Sequence, residues 1–305
     1  MLSGTEGDYG PFAAFFDDYW EHPGFERWVH EVVGLASREG LPGRRALDVG
    51  CGTGRTTKPL LDLGFEAVGL DVSGEMLSLA RRKLPGGTPL LHAAVEELEP
   101  DDAGLFDLVV WLNDGCNHLL SPVALARAFA QVSTCMRPGA VLAFDANQRS
   151  AYAEFFTGVH ERRNGTMRFV WRGTADIGAG GRRLARATLE AWDRDETLQA
   201  TFDHVQRYHP AARIRAALRA AGLNLVGTFG FDNDGAIAHR LLTSDLKALY
   251  LARKASVPDQ ERSAHAQGQA QQAPGDAGAF SHQDGLAAVT RPRERPGPSR
   301  SGPSR

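Results

Sequence analysis

The chain has 305 residues, a formal net charge of −3 at pH 7 and 42% hydrophobic residues. The near-neutral balance argues against a protein that coats nucleic acid, and no apolar run approaches the roughly 18 residues that cross a bilayer. Three cysteines without a Cys-x-x-Cys pair favour a reducing compartment, and residues 1–11 lack a basic start followed by an apolar core, so we expect a cytoplasmic protein that does not bind membranes.

The end of the chain differs in composition from the rest. Residues 255–305 contain six Pro, six Gly and only four large apolar residues, namely Val257, Phe280, Leu286 and Val289. This is too little apolar surface to offset the conformational entropy that folding removes. We therefore predict one folded domain over residues 1–254 and a disordered tail over residues 255–305.

The first half of the domain alternates between two hydrophobic periods. Apolar residues at helical spacing predict an amphipathic helix over about residues 24–39. Short apolar runs then predict strands over residues 45–49, 66–70, 89–92, 106–112 and 140–144. Helices are predicted between them, over residues 58–63, around residues 76–84 and from Pro122 onwards, where Ser121 is the expected cap. Strands alternating with helices in this way indicate right-handed crossovers and a parallel sheet covered on both faces.

The pattern changes after Asn147. Alternating residues predict an insertion over residues 148–209 with three antiparallel strands and turns at Gly178–Gly181 and Arg194–Glu196. The helical pattern resumes at Pro210 and ends at Gly222, and strands follow over residues 224–229 and 247–252. The predicted fold is α/β, a doubly wound seven-stranded sheet with an antiparallel insertion after its fifth strand.

A glycine-rich loop follows the first strand. The residues Ala46 to Arg55 read A-L-D-V-G-C-G-T-G-R, and Gly50, Gly52 and Gly54 let the backbone approach a ligand closely. A P-loop needs Gly-Lys-Ser/Thr, and a dinucleotide loop needs a sixth-position glycine, where this chain has Arg55. The spacing is instead G-x-G-x-G preceded by an acid, Asp48.

With this loop the chain resembles the class I S-adenosylmethionine-dependent methyltransferases of the small-molecule type. The resemblance covers roughly residues 9–254. Three further stretches match in order: G-L-D-V-S at the second strand, F-D-L-V-V-W-L-N-D at the fourth and M-R-P-G-A-V-L-A-F-D-A-N through the fifth.

The resemblance implies S-adenosylmethionine as cofactor and assigns its contacts. Asp48 and the backbone of Gly50, Cys51, Gly52 and Gly54 would hold the methionine moiety, and Asp71 the ribose. The adenine region would lie against Val72, Met76 and Val95. One position departs from the family pattern, because Ala94 stands where many members have an aspartate that accepts from the adenine amino group. Backbone or a neighbouring residue would then hold the adenine.

Substrate residues are expected beyond the carboxyl ends of the strands. The candidates are Asn113, Asp114, Asn117 and His118 after the fourth strand, and Asp145 with Asn147 at the fifth. We predict Asp114 and His118 as catalytic residues that orient or deprotonate an acceptor, although Asp114 could equally fix a turn and His118 lie under the next helix. His204 is a candidate substrate residue and His209 a candidate base, although a lone histidine on a strand more often has a structural role. No metal is expected.

Two further segments have open interpretations. Residues 17–20 precede the first long helix, where similar enzymes carry a lid over the cofactor, but their aromatic neighbours also explain the segment as simple packing. Residues 161–186 hold seven arginines against two acids, which indicates either recognition of an anionic substrate or a solvated strand face.

The hypothesis from the sequence is a bacterial methyltransferase acting on N or O of a small molecule, as a monomer or homodimer. Secondary metabolism is one setting for such an activity. The alternatives are a methyltransferase for protein, peptide or RNA, and a cofactor-binding regulatory protein without turnover. The acidic balance makes nucleic acid an unlikely partner.

Overall fold

The computed structural model describes residues 9–21, 24–174, 183–231, 236–238 and 240–256, which form two sheets and the helices around them. The predicted turn at Gly178–Gly181 and nearly all of the predicted tail lie outside the described residues. The helices are α1 (Phe16–Trp20), α2 (Phe25–Arg38), α3 (Thr57–Asp62), α4 (Gly74–Lys83), α5 (Pro100–Ala103), α6 (Pro122–Thr134), α7 (Arg149–Phe155) and α8 (Ala211–Ala220). None of these described helices has the length and apolar character that crossing a membrane requires.

The strands are β1 (Arg45–Val49), β2 (Glu66–Asp71), β3 (Leu90–His92), β4 (Phe106–Trp111), β5 (Met136–Asn147), β6 (Thr157–Asn164), β7 (Met167–Thr174), β8 (Leu184–Trp192), β9 (Leu198–Arg207), β10 (Leu223–Phe231), β11 (Ile237–Ala238) and β12 (Lys247–Lys254). The main sheet has the order β11-β10-β12-β5-β4-β1-β2-β3. Strands β1 to β5 run parallel, and β12 is antiparallel to both β5 and β10. The predicted doubly wound sheet is confirmed, with the two-residue β11 added at its edge.

Side-chain alternation along the strands places one apolar layer on each face of the main sheet. Val109 and Leu142 pack in the layer under α6 and α8, and the neighbouring Leu108 and Val141 pack in the layer under α2 and α3. Because both faces are covered, β4 is buried along its whole length.

Local sequence signals set several helix ends. The Ser121 hydroxyl accepts a hydrogen bond from the Ala124 N–H at 3.0 Å, as the predicted cap requires. Gly222 has a φ of +70°, a left-handed conformation that glycine adopts without strain, and it follows the end of α8.

The insertion forms a second sheet, the cap sheet, with the order β6-β7-β8-β9 and all pairs antiparallel. The prediction of three strands is wrong by one, because β6 also pairs with β7. Its residues Thr157 to Arg163 are all exposed, so β6 lacks the buried alternation that indicates a strand. The predicted turn at Arg194–Glu196 is confirmed between β8 and β9.

The N-terminal segment packs against the cap sheet. Phe12 is fully buried in a core that includes Phe169, Trp171 and Phe202. At its other side Asp17 accepts a hydrogen bond from Thr53 of the glycine loop at 2.6 Å and pairs with Lys83. Residues 9–21 therefore connect the cap sheet to the glycine loop.

Candidate functional site

The glycine loop opens into a cavity, here called the loop cavity, at the carboxyl end of β1. Gly50 and Gly52 have φ values of +66° and +52°, and a Cβ added to Gly52 would meet no atom within 4 Å. The backbone at Gly52 is therefore bare and faces open space, which suits close approach of a ligand. Of the residues predicted to contact a cofactor, those that line this cavity are Gly50, Cys51, Gly52, Asp71, Val72, Met76 and Val95.

Two predicted residues lie outside that lining. Gly54 faces Leu84, where an added Cβ would lie 3.0 Å from the leucine side chain. Asp48 is 1% exposed, its carboxylate accepts a hydrogen bond from the Thr57 hydroxyl at 2.6 Å, and burial raises its pKa to about 7. Asp48 thus joins the strand end to α3 beneath the loop, and its predicted contact with the methionine moiety stays a prediction.

Asp71 links β2 to the glycine loop. Its carboxylate accepts the Gly52 N–H at 2.7 Å and the Ser73 N–H at 2.9 Å. Burial raises the pKa of this carboxyl, and the backbone N–H groups oppose that shift. Each carboxylate oxygen has two lone pairs, so capacity remains to accept from a pair of hydroxyls.

The apolar side of the loop cavity suits a flat aromatic group. Val72 is 39% exposed although it is a large apolar residue, and Met76 and Val95 lie beside it in the same lining. Ala94, where the family pattern has aspartate, also lines the cavity and is followed by Glu96 and Glu97. The bare loop, the Asp71 carboxylate and this apolar wall together fit S-adenosylmethionine.

A second cavity, here called the cap cavity, lies between the main sheet and the cap sheet. Its walls are strongly aromatic, with Tyr19, Trp20, Trp28, Phe155, Phe156, Trp171 and Phe231. Polar residues in the lining include Asn113, Asp114, Asn147, His204 and Lys247. Asn113 lines both cavities, so the two meet at the end of β4.

The chain turns sharply at this junction. Asn113 and Asp114 are consecutive residues with φ values of +61° and +51°, a left-handed pair that is rare outside glycine. The Asp114 N–H donates to the Asp145 carboxylate at 3.0 Å, which holds the turn against β5. Such strain persists only where the surroundings over-determine it, and it marks functional sites.

The Asp114 carboxylate is fixed from two sides. Lys247 Nζ donates to one oxygen at 2.5 Å, and Gln206 Nε2 donates to the other. Lys247 also lies 3.1 Å from the Asp145 carboxylate. Burial opposes ionisation of Asp114, but the ammonium beside it outweighs burial and lowers its pKa, so the group is a carboxylate at pH 7.

Lys247 and Gln206 were not among the predicted site residues. Burial lowers the pKa of Lys247, and the carboxylates of Asp114 and Asp145 outweigh this and raise it, so the ammonium is charged at pH 7. Both residues lie far along the chain from Asp114, on β12 and β9. No local signal marked them, since a lysine at the start of a strand is ordinary.

A phenol connects the two predicted histidines. Tyr9 Oη lies 3.2 Å from His118 Nε2 and 3.2 Å from His204 Nδ1. The phenol can donate its single O–H to only one of these nitrogens. The other imidazole must therefore donate its N–H to the phenol oxygen. Tyr9 was missed because it precedes every predicted element.

Burial keeps both imidazoles neutral. It lowers the pKa of His204 to about 3, with His118 adding to the shift. Burial also lowers the pKa of His118, but the Asp114 carboxylate opposes that shift. The Asp114 carboxylate also opposes the shift of His204. His118 lines the loop cavity, while His204 lines the cap cavity.

Three of the predicted site residues lie behind the cavity junction and line neither cavity. Asn117 is fully buried, donates to the Arg207 carbonyl at 2.9 Å and accepts the Asn147 N–H at 3.0 Å. Asp145 is also fully buried, and His209 lies 2.9 Å from the Leu119 carbonyl. Direct substrate contact by Asn117 or Asp145 stays a prediction.

Asp114, His118 and His204 have ligand atoms within 4.8 Å of one another, a spacing that a metal ion could use. Both Asp114 oxygens, however, already accept hydrogen bonds, one from the Lys247 ammonium and one from the Gln206 amide, so this carboxylate has its partners without a metal ion. This arrangement favours an ion pair over a metal centre.

The chain is similar to known proteins in both sequence and fold. A family model described as "Methyltransferase domain" matches residues 46–139. The putative methyltransferase YqeM of Bacillus subtilis (strain 168) is 29% identical over 229 residues, which cover 71% of this chain and 87% of that protein. A ubiquinone biosynthesis O-methyltransferase of Xanthomonas campestris pv. campestris (strain B100) is 30% identical over 139 residues, 43% of this chain and 56% of that protein, so the match spans about half of its length.

Similar folds are found among solved structures. The CcbJ methyltransferase from Streptomyces caelestis superposes with a TM-score of 0.68 at 22% identity, covering 82% of this chain and 99% of that one. This coverage extends well beyond the residues that the family model matches.

Proposed function

Because the chain belongs to the class I S-adenosylmethionine-dependent methyltransferases, we propose that it methylates a nitrogen or oxygen of a small molecule bound in the cap cavity. The observation that carries this proposal is the junction of the two cavities at Asn113. A methyl donor on the glycine loop and an acceptor under the cap sheet would meet there.

The cover over the cap cavity supports a small acceptor. The cap sheet and residues 9–21 enclose the junction, and α1 is tied to both sides of it. On the cap side Asn164 Nδ2 donates to the Asp18 carbonyl at 2.9 Å, and Arg162 Nη2 donates to the Glu21 carbonyl at 2.5 Å. An RNA helix or folded protein would have to displace these contacts.

The cofactor supplies a methyl group on a positively charged sulfur, so its leaving group is already activated. The protein then has to align the acceptor, exclude water and take up a proton. Asn113 and the fixed Asp114 carboxylate orient the acceptor, and the aromatic walls exclude water. His118 accepts the proton, since it is the imidazole that lines the loop cavity, where the methyl donor would lie.

The test is formation of S-adenosylhomocysteine by the full chain with separate pools of metabolites, peptides and RNA. We expect turnover with metabolites alone, and turnover confined to peptides or RNA would contradict the proposal. With the active pool, His118→Gln should lower turnover about 100-fold while leaving cofactor affinity unchanged. His30→Gln, an exposed change on α2, is the matched control.

The cellular setting is part of the same proposal. All three cysteines are free and buried, as expected for a reducing, cytoplasmic environment. A role in secondary metabolism and a monomeric or homodimeric state remain predictions. The neighbouring genes and light scattering of the purified protein test them. Truncation at Ala255 tests the domain boundary.

A further inference from the structure

The described lining of the cap cavity has more aspartates than lysines and arginines. Two carboxylates, those of Asp114 and Asp245, line the cavity. Among the described residues, Lys247 is the one lysine or arginine in the lining, and both Asp114 and Asp145 already bind its ammonium. An anionic acceptor would therefore find no unpaired cation, whereas a cationic group would find carboxylate charge in excess.

The arginines of residues 161–186 do not change this balance. Arg168 pairs with Glu161 and Glu196, and Arg172 lies 3.7 Å from Glu190. None of the described arginines of that segment lines the cap cavity. Arg168 and Arg172 have acidic partners on the strand faces, and the lining of the cap cavity gives no support to the interpretation as an anion-binding segment.

The walls of the cap cavity add a second preference. Indole, phenol and phenyl rings surround it, including Trp20, Trp28 and Trp171. Such walls favour an apolar body, and the negative face of an aromatic ring also attracts an ammonium group.

We propose that the acceptor is an amine that enters the cap cavity as an ammonium ion on an apolar, ring-sized body. Because an ammonium nitrogen has no lone pair, His118 would first take one of its protons; the neutral amine nitrogen then forms the bond to the methyl group, and S-adenosylhomocysteine leaves. This inference rests on the proposed function and names the substrate class of the same site. Asp114 is the primary partner of the ammonium group, because each of its oxygens keeps one lone pair beyond those used by Lys247 and Gln206. Asp245 adds longer-range attraction.

Binding of three ring-matched probes tests the proposal without requiring turnover. The probes are 2-phenylethylamine, 2-phenylethanol and 3-phenylpropionate, added to the full chain saturated with S-adenosylhomocysteine and followed by calorimetry and tryptophan fluorescence. We expect the amine to bind at least about 10-fold more tightly than the alcohol, and the carboxylate to bind most weakly, as a desolvated charge pair predicts. Equal affinities, a preference for the carboxylate, or no amine binding would overturn the proposal.

Matched variants test which carboxylate produces the preference for the amine over the alcohol. Asp114→Asn keeps the size and the hydrogen-bonding oxygen but removes the charge, and it should reduce the preference for amine over alcohol to about 2-fold or less, because the charged hydrogen bond is lost. Asp245→Asn should reduce it by a smaller factor, and it provides a second measurement if Asp114→Asn does not fold. Asp203→Asn, on an exposed position of β9, should change nothing. An unchanged preference in both cavity variants would contradict the assignment.

Turnover separates the two proposals. If no acceptor pool yields S-adenosylhomocysteine, the proposed function fails, while the probe affinities still decide whether the cap cavity selects amines. If the enzyme methylates alcohols and binds the alcohol probe as tightly as the amine, the proposed function stands and the amine inference fails.

Discussion

The loop cavity and the cap cavity meet at one residue but are built in different ways. The loop cavity is formed mainly by segments that follow β1, β2 and β3, and Asp71 reaches Gly52 across adjacent strands. The cap cavity combines residues from the N-terminal segment, β4, β9 and β12, and Lys247 contacts an aspartate 133 positions away. A ligand site made from neighbouring strand ends can be read from a motif, whereas one made from distant segments depends on how the two sheets pack.

The largest expected effect is on stability, at the ion pair of Lys247 beside the cap cavity. Lys247→Met would leave the carboxylates of Asp114 and Asp145 buried without a partner charge, which we expect to cost about 3–5 kcal/mol in the free energy of unfolding. Urea denaturation measures this change. Cofactor affinity of the folded variant should be unaffected. Lys58→Met, which removes an exposed pair with Asp62, should leave the free energy of unfolding nearly unchanged. Stability like that of the control would mean that the ion pair does not hold the cap side.

The second-largest effect is expected from acid, which should lower the free energy of unfolding through His204 in the cap cavity. The pKa of His204 is lowered to about 3 in the folded state, so below its ordinary value of 6.5 the unfolded chain binds a proton that the folded chain does not. Stability from this group is therefore lost as the pH falls from 6.5 towards 3, by about 3 kcal/mol at pH 4. Denaturation of His204→Gln between pH 7 and pH 4 should show a correspondingly smaller loss than the wild type. Parallel profiles would contradict the shift.

The third prediction concerns cofactor affinity in the loop cavity. Asp71→Ala removes a carboxylate that is expected to accept from the cofactor ribose, and loss of a charged hydrogen bond costs about 1.5–3 kcal/mol, or about 10- to 100-fold in dissociation constant. Calorimetry with S-adenosylmethionine measures it. Asp62→Ala on α3 is the control, and amine affinity in the cap cavity should not follow the change. Unaltered cofactor binding would remove Asp71 from the site.

A smaller effect is expected where the two cavities meet. Tyr9→Phe removes the hydroxyl between His118 and His204 but keeps the ring, so turnover should fall about 5-fold, the equivalent of one neutral hydrogen bond of about 1 kcal/mol. Tyr208→Phe, at a tyrosine that lines neither cavity, should have no such effect. Equal turnover in both variants would show that the phenol does not position the histidines.

Removal of divalent metals should have no effect. Because Lys247 and Gln206 occupy the carboxylate oxygens of Asp114, treatment with EDTA is expected to leave turnover unchanged. A loss of activity that added metal restores would instead assign a metal ion to Asp114, His118 and His204.

Hydrophobic periodicity accounted for the main sheet, because buried parallel strands are short apolar runs and their helices carry apolar stripes. It failed at β6, whose exposed residues have no pattern to read. Most of the residues predicted to contact the cofactor, from Gly50 to Val95, line the loop cavity, since glycine spacing and a strand-end carboxylate are local features of the sequence. Asn117 and Asp145 were predicted near the ends of β4 and β5, and both are fully buried behind the cavity junction.

The amino-acid sequence by itself determined the doubly wound sheet, the glycine loop and the carboxylate of Asp71, because each depends on residues close together or in a fixed order along the chain. Only the tertiary structure decided that Tyr9, Gln206 and Lys247 join Asp114, His118 and His204 at the cavity junction. These partners come from segments that the cap sheet brings together. Their charges and protonation states follow from burial and proximity, which residue spacing along the chain does not encode.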